Sequence, residues 1–179
     1  SLGSAAPCGA RQNAGDGDIK GFEVELLATP APGLDIDASL SYLDGEWKRI
    51  DARVGNAILL TDPLATPNWQ WSAGIQYKGD FGSAGSITPR FDASYTGQTS
   101  AGRVTGGGAI EYFPAYTLAN ARVTWRNEAE DLAISVEATN LFNKYYNPFR
   151  FAAVFGFSGT IYSQVGRPRE AAITIKKTF

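Results

Sequence analysis

Four carboxylates with two-residue spacing lie in two consecutive segments of this 179-residue chain. Glu23 and Glu25 occupy the first segment, and Asp35 and Asp37 occupy the second. Paired carboxylates are the catalytic set of most glycoside hydrolases. Acidic side chains also line water-filled channels, where water or a neighbouring cation suffices to keep them charged. We favour the channel interpretation, with basic residues from another part of the protein opposite them, and loss of a hydrolytic activity in Glu25→Gln would favour an all-β glycosidase instead.

The remaining composition offers little other chemistry. The chain has no histidine, which removes the commonest general base and metal ligand. Its single cysteine, Cys8, cannot form a disulfide within the chain, and we expect its partner to lie elsewhere. The glycine-rich stretch 102–108 lacks the Gly-Lys-Ser/Thr ending of a phosphate-binding loop. A net charge of −2 argues against a nucleic-acid surface. We therefore expect no enzyme, no metal site, no cofactor and no nucleic-acid partner.

The end of the chain indicates which element positions these groups. Ile173, Ile175, Lys177 and Phe179 alternate with polar residues, which is the two-residue period of a strand. The strand ends on an aromatic residue, as does the last strand of an outer-membrane barrel at the membrane interface. We predict that Phe179, Ile175 and Ile173 serve barrel closure and assembly.

The same alternation predicts seven strands, joined by connections that are alternately short and long. The segments are 19–29, 34–44, 69–78, 87–97, 114–126, 131–142 and 166–179. This rhythm is typical of a transmembrane, antiparallel up-and-down β-barrel with tight periplasmic turns and longer extracellular loops. Facing parity in the first hairpin requires Ala28 to pair with Leu34 or Ile36. Because such barrels have an even number of strands, we expect residues 1–179 to be the C-terminal segment of a larger barrel, with the earlier strands lying elsewhere in the protein.

Alternation also assigns the two faces of the sheet. The apolar face would contact outer-membrane lipid, and we prefer lipid contact over sugar stacking for Trp69, Trp71 and Tyr77. Aromatic residues near the long loops, Tyr42, Trp69, Tyr95 and Tyr116, are expected to form an interfacial girdle. The polar face would form the lumen wall, in which Arg122 could pair with Glu137 and Arg90 with Asp92. The predicted wall residues are Glu23, Glu25, Asp35, Asp37, Arg90, Arg122 and Glu137.

Ligand-binding residues are expected on the long loops, since loops at the mouth of a barrel meet the solvent first. Arginine suits anionic ligands such as ferric chelates, and aromatic rings add contact area. The candidates are Trp47, Arg49, Arg103, Tyr112 and Arg150.

Several of these segments together resemble the late barrel strands of TonB-dependent receptors. They are residues 19–26, 32–34 and 38–42, the Asn-Leu-Phe-Asn-Lys-Tyr-Tyr run 140–146, and the Gly-Arg-Pro-Arg run 166–169 that leads to Phe179. The resemblance implies a 22-stranded barrel in the bacterial outer membrane with an N-terminal plug, and neither the plug nor the segment that contacts TonB lies within residues 1–179. It also implies import of a small ligand, most often a ferric siderophore and sometimes cobalamin or a glycan, with energy passed on by TonB. Asn143 stands where the family usually has Asp, and Lys177 stands where it often has an aromatic residue.

Two further alternatives remain open at this point. A passive porin-like pore would conduct ions without a plug. A soluble seven-stranded β-sandwich binding module would bury its apolar faces against each other and need no detergent.

Overall fold

One antiparallel sheet dominates the chain, with two small hairpins beside it. In this computed structural model the described residues are 13, 15–52, 58–103, 108–152 and 161–179. The strands are β1 (Gly15–Ala31), β2 (Leu34–Ile50), β3 (Trp69–Tyr77), β4 (Gly79–Asp80), β5 (Ser86–Thr96), β6 (Thr99–Arg103), β7 (Ile110–Phe113), β8 (Tyr116–Arg126), β9 (Leu132–Thr139), β10 (Phe149–Ala152), β11 (Ile161–Gln164) and β12 (Glu170–Lys177).

The main sheet has the order β1-β2-β3-β5-β8-β9-β12, and β4 pairs with the start of β5. All its pairings are antiparallel. Short connections join β1 to β2, β3 to β5 and β8 to β9, and we call this side of the sheet the turn end. The long connections lie on the opposite side, the loop end, and two of them carry the hairpins β6–β7 and β10–β11. The predicted up-and-down order of seven strands is confirmed.

The register follows the predicted parity. Ala28 pairs with Ile36, as apolar matching requires. From there, rows of apolar residues cross the sheet, for example Ile75 beside Ile36 and Phe91 beside Ile75. A shift of one residue would bring charges into these rows, which is why the pattern determines the register.

The first hairpin is longer than predicted at the loop end. β1 begins at Gly15 and β2 continues to Ile50, whereas the sequence pattern indicated strands 19–29 and 34–44. Beyond the Phe22–Tyr42 pair, charged residues occupy the face that is apolar elsewhere, starting with Lys20 opposite Asp44. Because charged residues replace apolar ones on this face and a bulge near Asp16 shifts the register, apolar alternation does not predict this part of the strand. The hairpins β6–β7 and β10–β11 also lie in segments that were predicted to be loops, and β12 ends at Lys177 rather than at Phe179.

The described part of the chain has almost no buried apolar core. Ala119, at 5% exposed, is the single buried hydrophobic residue there. Large apolar side chains instead remain open along one face of the sheet: Ile173 is 72% exposed, Ile175 69% and Val136 54%. A soluble β-sandwich buries this face, so the sandwich alternative is wrong. Among the described residues, no helix has the length and apolar character needed to span a membrane.

Candidate functional site

The polar face of the sheet gathers most of the predicted wall residues. Successive register pairs place Asp35 beside Gln76, Gln76 beside Arg90, Arg90 beside Arg122, and Arg122 beside Glu137. Four of the seven predicted wall residues thus form one row across five strands. The row has negative ends and two adjacent guanidinium groups at its centre, so it can hold both acidic and basic partners.

Arg90 on β5 is linked to β2 across the intervening strand β3 on this face. Its Nη2 lies 2.9 Å from Asp37 Oδ1 on β2 and 2.6 Å from Asp92 Oδ1 on its own strand. Its Nε also donates to both Asp92 oxygens, at 2.9 and 3.1 Å. The Asp37 contact passes over β3 at Gly74, where a Cβ atom would lie 2.4 Å from Arg90 Nη2 and 2.6 Å from Asp37 Oδ2. Glycine at position 74 therefore leaves the space in which this ion pair forms.

The four carboxylates do not form an isolated catalytic pair. Asp35 accepts hydrogen bonds from Thr29 Oγ1 and Gln76 Nε2, both at 2.9 Å, while Asp37 binds Arg90. Glu23 and Glu25 are exposed on β1, where they face Ser41 and Ser39 in register. This arrangement suits a hydrated, charged wall.

A cavity of about 460 Å³ opens at the loop end, above the polar face. Its floor is the register row Gln70, Thr96 and Tyr116, so Tyr116 faces the polar side and is not in the predicted lipid girdle. The long connections, including the β6–β7 hairpin, form its other walls, and two of these wall residues, Ser100 on β6 and Asn147, are buried. Hydroxyls, amides and aromatic rings around one concave space are typical of a small-ligand site.

The predicted ligand residues fall into two groups. Trp47 and Arg49 lie on β2, outside any loop, and Arg49 is occupied by an ion pair with Asp16 at 2.7 Å. Tyr112 is 40% exposed on β7, and the β6–β7 hairpin that carries Arg103 and Tyr112 contacts β10, the strand of Arg150. The side chains of Arg103 and Arg150 lie outside the described part of the structure.

A compact turn follows β9 at the loop end. Asn140, 5% exposed with φ 46°, donates from Nδ2 to the carbonyl oxygens of Lys144 (2.9 Å) and Arg167 (3.0 Å). Its Oδ1 accepts from Lys144 N at 2.8 Å. Asn143 Oδ1 accepts from Arg169 N at 3.0 Å, so the turn is tied twice to the segment that enters β12. An Asp at position 143 would accept the same bond, and the departure from the family pattern leaves this contact intact.

Charged contacts also fix the turn end. Lys177 Nζ lies 2.5 Å from Asp131 Oδ2, and Lys78 Nζ lies 2.9 Å from Glu130 Oε1. The Lys177 hydrogen bond, followed by one from Asn127, lowers the pKa of Asp131 below its ordinary value. The Lys78 hydrogen bond lowers the pKa of Glu130 in the same way. Lys177, which interrupts an apolar face, is thus compensated by a carboxylate of the neighbouring turn.

The residues predicted to close the barrel lie at the free edge of the sheet. Ile173 pairs with Val136 and Ile175 with Ile134, both on β9, and the other edge of β12 ends the sheet. Phe179 follows two residues after β12, anchored through the bond from Thr178 N to Asp131 O at 2.8 Å. Their aromatic and apolar side chains extend the exposed apolar face.

Sequence reasoning missed the cavity and the role of Asn140. The cavity is assembled from several connections whose conformations have no periodic signal. Asn140 did have a signal, because an Asn directly after an apolar strand often adopts positive φ and ends the strand with side-chain bonds to the backbone.

Comparison with known proteins agrees with this geometry. The family model for the TonB-dependent receptor-like β-barrel matches residues 2–141. The crystal structure of the ferric yersiniabactin uptake receptor FyuA from Yersinia pestis superposes with a TM-score of 0.75 at 20% identity, over 93% of this chain and 24% of that one. The ferric-catecholate import receptor Fiu from E. coli K12, in its closed form, gives 0.73 at 19% identity, over 91% and 21%.

A third structure, the siderophore receptor PiuA from Acinetobacter baumannii, gives a TM-score of 0.69 at 18% identity, over 90% of this chain and 22% of that one. The chain thus spans less than a quarter of the length of these solved structures. At these identities the superpositions show a shared fold, and the family follows from the model match, which extends over more than half of the chain. The chain belongs to the TonB-dependent receptor family, and it forms part of its β-barrel.

Proposed function

We propose that this chain is the C-terminal, lipid-embedded part of a 22-stranded barrel in a bacterial outer membrane. The observation that carries this proposal is the contrast between the two sheet faces. One presents exposed apolar residues such as Val136, Ile173 and Ile175, and the other presents the Asp35–Glu137 row. A sheet with these two faces is stable where lipid covers one side and water or a plug covers the other.

We further propose that the complete protein imports a ferric siderophore with energy supplied through TonB. Several superposed structures are receptors of this kind, namely the ferric yersiniabactin uptake receptor, the ferric-catecholate import receptor and the siderophore receptor PiuA. The family consists of transporters, so no hydrolytic role is assigned to the carboxylates. In this proposal the loop-end cavity and the strands of Arg103, Tyr112 and Arg150 contribute to ligand capture, and Glu23 and Glu25 face basic groups of a plug.

Uptake of radioactive iron tests this function. Cells expressing the complete gene are compared with a deletion strain, each supplied with a ferric-catecholate complex and, separately, with ferripyoverdine. Uptake that needs both the gene and an intact TonB supports the proposal. Uptake that persists without TonB, together with ion conductance of the purified protein in planar bilayers, would favour a passive pore.

The assignment of residues 1–179 to one segment of a larger barrel has its own test. Protein extracted from outer membranes is identified with peptides from this chain and its intact mass is measured. We expect a mass several times the 19.2 kDa of the chain, with peptides of a plug in the same polypeptide. A detergent-free soluble protein of 19.2 kDa would contradict the assignment.

A further inference from the structure

The turn after β9 is a junction of three parts of the chain. Besides its bonds to Lys144 and Arg167, the Asn140 backbone N donates to Asn120 Oδ1 on β8 at 3.0 Å. The amide of Asn140 is buried, so these bonds are made away from water, where an unsatisfied polar group is costly. The junction therefore fixes where the chain leaves β9 and where it returns toward β12.

Tyr146 continues this junction toward the loop. Its carbonyl oxygen accepts from Gly166 N at 2.9 Å, which closes the base of the loop between them. Its ring lies against Gly166, where a Cβ atom would be 2.1 Å from Cζ of Tyr146. The centroids of the Tyr146 and Tyr116 rings are 4.7 Å apart. Only glycine fits under this ring, and Tyr116 supports it from β8.

The two residues after Tyr146 enter the loop-end cavity. Asn147 is 8% exposed, and Asn147 and Pro148 line the cavity together with Tyr116. This wall follows directly on the contacts of Asn140 and Tyr146, which lie one to eight residues earlier in the chain. We propose that Asn140 and Tyr146 are positioning residues that hold the Asn147–Pro148 wall of the cavity against β8, an inference whose meaning for ligand capture rests on the proposed function.

Two asparagines of the same turn provide a matched test. Asn140→Asp keeps the acceptor for Lys144 N but removes both Nδ2 donors and places a carboxylate against two carbonyl oxygens. Asn143→Asp keeps the acceptor for Arg169 N. Both residues have positive φ, 46° and 51°, so the backbone preference changes equally in the two variants.

The readout is the motion of a nitroxide label on the complete receptor in detergent. Pro148→Cys carries the label on the Asn147–Pro148 wall, and Ala65→Cys carries it on the part of the lining contributed by the β2–β3 connection, since both positions are exposed and line the cavity. The receptor without an added cysteine, labelled in parallel, accounts for any signal from Cys8. We expect Asn140→Asp to make the label at 148 tumble several-fold faster while the label at 65 is unchanged, and Asn143→Asp to change neither.

Equal effects of the two Asp variants, or no effect of Asn140→Asp at position 148, would overturn the proposal. If Asn140→Asp yields no folded barrel on a heat-modifiability gel, Tyr146→Ala replaces it and is judged by the same criteria, since it removes the ring without adding a clash. The label requires no ligand. A wild-type receptor that imports no ferric siderophore would therefore refute the proposed function while the positioning result still stands.

Discussion

Replacing Gly74 with Ala tests the ion pair that crosses β3 on the polar face. Glycine within a strand is about 0.5–1 kcal/mol less favourable than alanine, so the change alone would stabilise the sheet. Here the new methyl would lie 2.4 Å from Arg90 Nη2 and 2.6 Å from Asp37 Oδ2, so these two side-chain ends must move apart. Their 2.9 Å pair is partly exposed, with side chains 23% and 39% accessible, and is worth about 1 kcal/mol at most. Off-rotamer displacement adds roughly 0.5–1.5 kcal/mol.

The net expectation is that Gly74→Ala lowers the free energy of unfolding by about 1 kcal/mol, and that its effect changes sign once the pair is removed. In a background with Asp37→Ala and Arg90→Ala, the same substitution should stabilise by about 0.5–1 kcal/mol. The assay is denaturant unfolding of the complete receptor in detergent, followed by the heat-modifiable band. An effect of the same sign and size in both backgrounds would refute the reasoning that Gly74 is needed to make room for the pair.

Two other predictions concern the turn end and the membrane. The hydrogen bonds from Lys177 and Asn127 lower the pKa of Asp131, so the charged carboxylate stabilises the folded state. This stabilisation is complete well above the pKa of an unfolded carboxyl group, near 4, and it is lost as the pH falls through the lower pKa of the folded state. Asp131→Asn should therefore remove part of the acid destabilisation seen in unfolding midpoints measured between pH 7 and pH 3, and an unchanged pH profile would count against the contact. On β5, Ala93 faces the apolar side two residues from the predicted interfacial Tyr95, so Ala93→Arg should cost about 1–3 kcal/mol, between the values at the interface and at the bilayer midplane. The neighbouring residue Ser94 lies on the polar face, so Ser94→Arg should cost little. Equal costs of the two substitutions in folding titrations into lipid would contradict the assignment of the faces.

Strand number, order and register could be predicted because one physical pattern determines all three. A sheet with lipid on one side and water on the other requires strict alternation, as in Trp69–Tyr77, and parity then leaves one register for Ala28. The pattern fails where the environment changes. Above the Phe22–Tyr42 pair both faces of the hairpin leave the apolar zone, and the charged pairs Asp16–Arg49 and Asp18–Lys48 replace it. The strand continues there, but the signal that revealed it does not.

The candidate site was predictable only in part, and for a related reason. Wall residues such as Arg90 and Arg122 follow from parity, because a side chain two residues along the strand returns to the same face. The cavity depends on the path of three loops, which no local periodicity specifies. Arg49 was predicted to bind ligand because of its charge and its place in a predicted loop, and its ion pair with Asp16 could be seen only once the register of the extended hairpin was known.

The central claim is that one face of this sheet contacts lipid and the other contacts the barrel interior. A nitroxide label moved one residue at a time along Ser86–Thr96 in the complete, membrane-reconstituted receptor tests it directly. Accessibility to oxygen, which concentrates in lipid, should peak at the residues on the same face as Phe91. Accessibility to a water-soluble nickel chelate should peak at the residues on the same face as Arg90. Two opposed oscillations with a two-residue period would support the account. Labels equally accessible to the nickel chelate on both faces, or oscillations in the reversed phase, would contradict it.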